Sequence, residues 1–324
     1  MLTPISGIHH ITGIAGDPQR NLDFYTVTLG LRMVKRTVNF DDPGTYHFYF
    51  GDYEGNPGTI LTFFPWPDAR RGRRGQGQVA DVAFGVPSGT LGAWQERFAH
   101  LGVTTATPFR RFDEEVLRLL DPDGLSLELV ARESLDAVPG WEDGPVPAEM
   151  AVRGFAAPTL LLQNLEPTAA LLSDLFGLHP SQQDGTRHRF ASGDGIGQQV
   201  DIELRPAEVV GRGGAGTIHH IAWRAENDEQ QAAYRELLVG HGYEVTPVLD
   251  RQYFHSIYFR EPGGILFEIA TDPPGFTLDE PLESLGSALR LPPWYEPRRG
   301  EIERILPPLT INQPETPRGG SSAS

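Results

Sequence analysis

The run GIHHIT at residues 7–12 returns as TIHHIA at 217–222, and a third run, EPGGILFEIA at 261–270, sets one glutamate among apolar residues. Histidine and glutamate are side chains that ligate metals and move protons near neutral pH. If each run is a β-strand, successive side chains face opposite sides of a sheet, so the two histidines of a pair cannot point the same way. His10 then shares a face with Ile8 and Thr12, His220 with Ala222, and Glu268 with Leu266 and Ala270. Each of these three has a small neighbour two residues on, which leaves room for a cavity. The opposite faces are bulkier and suit a core. Two neutral imidazoles and one carboxylate form the 2-His-1-carboxylate set, which occupies one face of an octahedral ferrous ion and leaves positions for substrate and dioxygen. A glutamate alternating with apolar residues is costly to bury, and a cation compensates its charge.

The elements that would position these residues form a repeat. DPDGLSLELV (121–130) and EPGGILFEIA (261–270) share a turn entering a strand with a glutamate in phase, Glu128 and Glu268. LDFYTVTLGLRMV (22–34) and AALLSDLFGLHPS (169–181) read as amphipathic helices ending near Gly30 and Gly177, as left-handed caps would. LGAWQERFAHLGV (91–103) and QAAYRELLVGHGYEV (231–245) are further helix-then-glycine units. The chain parses into four strand–helix–strands units at 5–66, 78–132, 150–206 and 216–272. One βαβββ unit cannot cover its own sheet, so pairs should join into curved sheets enclosing a cavity. The expected class is α+β, with four such modules paired into two curved-sheet barrels. By sequence they divide into an N-terminal half (5–137) and a C-terminal half (148–275), followed by an extension (276–311) and a disordered tail (312–324).

The copies are unequal. The third unit has Ala157 at the position of His10, and the second has Ala80 or Asp81 at that of His220, depending on a one-residue gap. A full ligand set therefore requires the first and fourth units to meet, giving one metal site per chain and a second, degenerate barrel. His47 and His188 read as structural strand residues.

With 27 basic and 43 acidic residues, a net charge of −16 argues against nucleic-acid or anionic-membrane surfaces. ARRGRRGQGQ (69–78) opposes this trend and reads as a solvated glycine-rich loop. The absence of cysteine excludes disulfides, thiolate metal sites and cysteine nucleophiles. Neither a signal-peptide pattern nor a long apolar stretch occurs, so a cytoplasmic protein is expected. DGIGQ and GRGGAG lack the context of a phosphate-binding loop.

Over most of residues 5–285 the sequence resembles the vicinal oxygen chelate superfamily (glyoxalase, bleomycin resistance and extradiol dioxygenase proteins). It is most similar there to the four-module ring-cleaving hydroquinone 1,2-dioxygenases. The motifs are GIHHITGIAGDPQRNLDFY, LRMVKRTVNFDDPGTYHFYFGD, GNPGTILTFFPWP, RHRF, TIHHIAW and DRQYFHSIYFREPGGILFE. The resemblance implies ferrous iron on His10, His220 and Glu268, with Mn(II) as the alternative metal. It further implies supporting roles for Tyr258, Arg251, Thr12, His9 and His219. Alternation puts His9 and His219 on the wrong face unless a bulge turns them, and His255 lies close enough in sequence to raise the same question.

The implied activity is Fe(II)-dependent cleavage of a hydroquinone-like phenol by O2, in aromatic-compound catabolism, with a homodimer as the expected assembly. Two other readings use the same scaffold. A glyoxalase-like metal-dependent lyase or isomerase would normally have a more carboxylate-rich ligand set, and only one glutamate here has histidine company. A non-catalytic aromatic-compound binding or resistance protein would not need a complete triad.

Overall fold

Residues 2–311 are described by the computed structural model; the tail expected to be disordered, 312–324, lies outside them. The first module runs β1 (Ile8–Ala15), α1 (Pro18–Asp23), β2 (Arg32–Asn39), β3 (Asp42–Gly51) and β4 (Ile60–Pro65). The second runs β5 (Gln78–Pro87), α2 (Leu91–His100), β6 (Phe109–Arg111), β7 (Glu114–Leu120) and β8 (Ser126–Arg132). After a short β9 (Gly154–Phe155), the third comprises β10 (Thr159–Leu162), α3 (Glu166–Ala170), β11 (His179–Asp184), β12 (Arg187–Ala191) and β13 (Gln199–Leu204). The fourth comprises β14 (Thr217–Ala225), α4 (Asp228–Gly240), β15 (Leu249–Asp250), β16 (Phe254–Arg260) and β17 (Leu266–Pro274), and α5 (Arg299–Ile305) follows in the extension.

The helices expected over 22–34 and 169–181 are shorter and start earlier. Asp17 caps α1 through the Arg20 amide, and Pro18 fits the first turn, where no N–H is needed. A single wide turn, Phe24–Thr28 after α1 and Leu171–Leu175 after α3, closes each helix. Gly30 (φ +70°) and Gly177 (φ +79°) then reverse the chain, so Arg32–Val34 and His179–Ser181 belong to strands.

Two sheets result. One has the order β15-β16-β17-β14-β1-β4-β3-β2 and joins the fourth module to the first. The other, β11-β12-β13-β10-β5-β8-β7-β6 with β9 beside β5, joins the third to the second. Each sheet takes one module from each half of the sequence, along the antiparallel seams β1–β14 and β5–β10. The core lies under both sheets, with Ile11, Phe63, Ile221, Trp223 and Phe267 buried in one and Val82, Phe84, Leu127 and Ile202 in the other.

The basic segment 69–78 keeps Arg70, Arg71, Arg73 and Arg74 exposed, as expected of a solvated loop, while its backbone zips against residues 210–215. Arg71 bridges to Ala215, Arg73 to Arg212 and Gln76 to Val210. The approach is too close for side chains: a Cβ on Gly214 (φ +153°) would stand 2.3 Å from the Arg70 carbonyl oxygen. The extension packs along β2 and β3. Buried Lys35 holds it by ion pairs to Asp279 (2.6 Å) and Glu280 (2.5 Å), and the Tyr46 hydroxyl donates to the Pro307 carbonyl (2.9 Å). Among the described residues, no helix is long and apolar enough to cross a membrane.

Candidate metal centre and its cavity

The β1–β14 seam brings His10 and His220 together, and β17, parallel to β14, carries Glu268 opposite Ala222. The three Nε2 and Oε2 atoms converge. His10 Nε2 lies 3.3 Å from His220 Nε2 and 3.4 Å from Glu268 Oε2, and His220 Nε2 lies 2.9 Å from Glu268 Oε2. All three side chains are buried, and together they form a group able to hold a metal ion. Metal–ligand bonds of about 2.1 Å at right angles would separate adjacent donor atoms by about 3.0 Å, close to the spacing found. Glu268 Oε2 accepts no directed hydrogen bond despite complete burial. A buried carboxylate oxygen left without a donor is costly unless a cation takes that place. The donor set fits a divalent transition metal.

The other atoms of these side chains are engaged. Ser256 Oγ donates to Glu268 Oε1, fixing the carboxylate from the neighbouring strand. His9 Nδ1 meets His10 Nδ1 at 2.9 Å and His219 Nδ1 meets His220 Nδ1 at 2.8 Å, leaving both Nε2 atoms directed at the centre. Such contacts between adjacent strand residues arise from two bulges. In the β1–β14 register, Ile8↔Trp223 is followed by His10↔Ala222, which makes His9 the extra residue; Thr12↔His220 is followed by Gly13↔Ile218, which makes His219 the other.

Burial, reinforced by His10, holds His9 well below the usual imidazole value; burial also lowers His220, and it is the neutral imidazole that ligates. His219 is pushed down to about 4 by burial, then by the charges of His220 and Arg260. Its ring is enclosed by the protein yet accessible, because it faces two cavities. Burial alone would raise Glu268, but His10 and His220 outweigh it and hold the carboxyl well below its usual range.

One of those cavities, about 410 Å³, opens over the triad and is lined by Phe40, Phe64, Trp66, Phe254, Leu249 and Leu266 on its apolar sides. Arg251 and Tyr258 also line it, Arg251 Nε donating to the Tyr258 hydroxyl at 3.3 Å while the guanidinium pairs with Asp41 at 3.1 Å. Tyr258 stands opposite Glu268 in the β16–β17 register. Burial, then the nearby Glu268 charge, raises its pKa, so it stays a hydroxyl donor. Thr12 does not line this cavity. It joins a buried chain in which Thr12 Oγ1 meets Thr62 Oγ1 (2.8 Å), Thr62 meets His47 Nε2 (2.9 Å), and His47 Nδ1 meets the Tyr49 hydroxyl (2.9 Å). His255 is outside, paired with Asp228 at 2.7 Å.

Sequence reasoning missed Ser256 and the cavity-lining pair His47 and Tyr49. The signal for Ser256 was its position two residues before Tyr258, hence on the same face of β16. His47 and Tyr49 likewise alternate on β3, but nothing in the sequence aimed that face at the metal centre.

The second sheet shows what its own buried glutamate requires. Arg118 faces Glu128 as Tyr258 faces Glu268, and Ala83 faces Glu128 as Ala222 faces Glu268, which puts Asp81 at the place of His220. Glu128 Oε2 accepts from Arg111 (2.7 Å) and Oε1 from Arg118 (2.6 Å). Thr159, opposite Asp81 as Thr12 is opposite His220, accepts a hydrogen bond from Arg187, and Arg187 and Arg189 both pair with Asp201. Permanently charged arginines stand there where the first sheet's glutamate has two titratable imidazoles.

The family model of the Glyoxalase/Bleomycin resistance protein/Dioxygenase superfamily matches residues 7–129 and 155–269. The chain belongs to this superfamily. It is 50% identical over 309 residues to the Bacillus subtilis (strain 168) protein named "Putative ring-cleaving dioxygenase MhqO", covering 95% of this chain and 97% of that one. It is 37% identical over 311 residues to the chlorohydroquinone/hydroquinone 1,2-dioxygenase of Sphingobium indicum, covering 93% and 96%. The crystal structure of a "putative dioxygenase" from Bacillus subtilis superposes with a TM-score of 0.91 at 49% identity, over 96% of this chain and 99% of that one. Maize glyoxalase I, at 13% identity and a TM-score of 0.62 over 82% and 92%, shares the fold. This superfamily member is therefore an enzyme of the ring-cleaving dioxygenase kind, built from four modules on the glyoxalase fold.

Proposed function

We propose that this superfamily member is an Fe(II)-dependent dioxygenase that opens the ring of a hydroquinone-like phenol with O2, and that His10, His220 and Glu268 hold the metal. The observation that carries the proposal is the convergence of three buried donor atoms around Glu268 Oε2, which receives no hydrogen bond, at the base of an apolar cavity. The two-nitrogen, one-oxygen donor set suits Fe(II), and Mn(II) would bind the same atoms. When bound, the metal would lower the pKa of the ring hydroxyl, near 10 in solution, and hold ring and O2 side by side.

The residues of the chain do the remaining work. Phe64, Trp66 and Phe254 offer aromatic faces to the ring and exclude water from it. Tyr258, kept protonated, donates a hydrogen bond to negative charge developing on oxygen, and Arg251 both orients that hydroxyl and stabilises the same charge. In the overall reaction, the C–C bond beside the hydroxyl-bearing carbon breaks and both atoms of O2 enter the product. The hydroxyl-bearing carbon becomes a carboxylic acid.

The test is O2 consumption by anaerobically prepared, Fe(II)-loaded protein offered hydroquinones and catechols, with His220→Ala as control. Uptake that depends on the phenol and disappears in the variant supports the proposal, and the faster phenol class fixes the substrate. Stoichiometric iron without uptake on any phenol overturns it in favour of lyase chemistry.

A further inference from the structure

A second cavity of about 480 Å³ adjoins the first. The two share His219 and Leu266 in their linings, so these side chains form the partition between them. It is the more polar of the two, although Ile14, Val79, Ile218 and Ile265 also line it. Gln76, Gln78, Gln163, Asn164 and Arg260 line it, and all four modules contribute: Ile14 from β1, Gln78 from β5, Asn164 beyond β10, and His219 and Arg260 from the fourth module. The zipped loops 69–78 and 211–216 close one side.

Arg260 is the cation of this chamber. Its guanidinium donates to a neutral carbonyl, Gly264 O (2.9 Å), and no carboxylate among the described residues pairs with it. The neighbouring carboxylate, Glu261, is buried behind the chamber wall, its oxygens occupied by the Gly263 and Ile265 amides (each 2.8 Å) and the Thr168 hydroxyl (2.6 Å). Amide side chains and one uncompensated guanidinium suit an anion with several oxygen atoms and would repay a neutral ring poorly.

Ring opening of a phenol produces such a change of charge. The substrate is neutral, whereas the product, which is substrate plus O2, carries a carboxylic acid that ionises at neutral pH and releases its proton to solvent. We propose that the second cavity is a product chamber, binding the ring-opened carboxylate on Arg260 after it passes the His219–Leu266 partition. This inference rests on the ring-cleavage reading for the source of the anion, while the anion site itself can be tested without it.

The experiment titrates the metal-loaded full chain, held anaerobic, with muconate, an unreactive six-carbon unsaturated dicarboxylate, by calorimetry. Arg260→Gln and Asn164→Asp are compared with the unsubstituted protein; both residues are exposed, so folding is retained. A charge-assisted hydrogen bond of about 1.5–3 kcal/mol predicts a loss of roughly tenfold or more in muconate affinity in Arg260→Gln. Asn164→Asp should weaken muconate as well, by repulsion. With the phenol substrate, KM should stay within about twofold of the unsubstituted value in both variants, since neither residue lines the metal cavity, and accumulated product should inhibit non-competitively against the phenol. Equal muconate binding in all three proteins, no binding, or displacement of muconate by phenol in direct competition would each overturn the chamber. Arg260-dependent muconate binding in a preparation that consumes no O2 would support the anion site and overturn the ring-cleavage reading. Uptake of O2 together with Arg260-independent binding would do the reverse.

Discussion

Ser256 illustrates how little chemistry a residue needs in order to matter at such a centre. Its hydroxyl donates to Glu268 Oε1 and leaves Oε2 as the one carboxylate oxygen aimed between the histidines. Removing it frees the carboxylate to rotate without altering any proposed ligand. Ser256→Ala should therefore weaken metal binding by about 10- to 100-fold while the fold persists, measured as metal content after dialysis against a graded chelator beside the far-UV spectrum. Unchanged metal affinity would mean that packing alone fixes Glu268. The paired Nδ1 contacts of His9 and His219 belong to the same scale, since each sets the orientation of the imidazole beside it.

Among the elements, the turns that precede β8 and β17 carry a parallel device. Asp121 accepts from the Asp123 and Leu125 amides and from the Tyr25 hydroxyl, as Glu261 does from Gly263, Ile265 and Thr168. Burial lifts Asp121 from 3.8 to about 6, against the opposing pull of those donors. The folded state then holds its proton to higher pH than the unfolded state. The resulting stability is fully present below about pH 3.8 and is lost as pH rises through about 6, a change of about 3 kcal/mol at most. Asp121→Asn keeps an acceptor for the amides and does not titrate, so its urea midpoint should fall less between pH 4 and 6 than that of the unsubstituted protein. Parallel pH profiles for the two would refute the assignment.

The zipped loops allow a second test at this scale. Gly214→Ala places a methyl group 2.3 Å from the Arg70 carbonyl oxygen, and about 1–3 kcal/mol of stability should be lost, visible as a lower Tm. An unchanged Tm would show that the loops yield without cost.

Across the whole molecule, two sheets of one ancestry bury a glutamate at matching places and neutralise it by different means. Glu128 lies against Arg111 and Arg118, while Glu268 lies against two imidazoles. Glu128→Gln leaves the buried Arg111 only its longer contact to Asp201 (3.8 Å) and should cost up to about 3–5 kcal/mol in urea unfolding while metal content is unchanged. Glu268→Gln should abolish stoichiometric metal and cost the metal-free protein far less, because its partners are imidazoles, which can give up their protons where a guanidinium cannot. If both variants lose stability equally and both retain metal, the division of labour between the sheets is wrong.

The sequence by itself determined the repeat, the α+β class and the residues worth watching. These are local properties: a left-handed glycine after a helix and a period-two alternation in a strand are written in adjacent residues, as at Gly30, Gly177 and the FEIA run. Alternation also favoured His10, His220 and Glu268, which the structure brings to within 3.4 Å of one another. It could not find the bulges at His9 and His219, because a bulge is a relation between two strands that lie some two hundred residues apart. The unequal copies did require the first and fourth units to meet, as they do along β1–β14, but the arginine cluster at Glu128, the zipped loops and the polar chamber behind His219 have the same origin as the bulges. Each depends on which module edges meet, and that is set by the burial of whole sheet faces, which no short window of sequence contains.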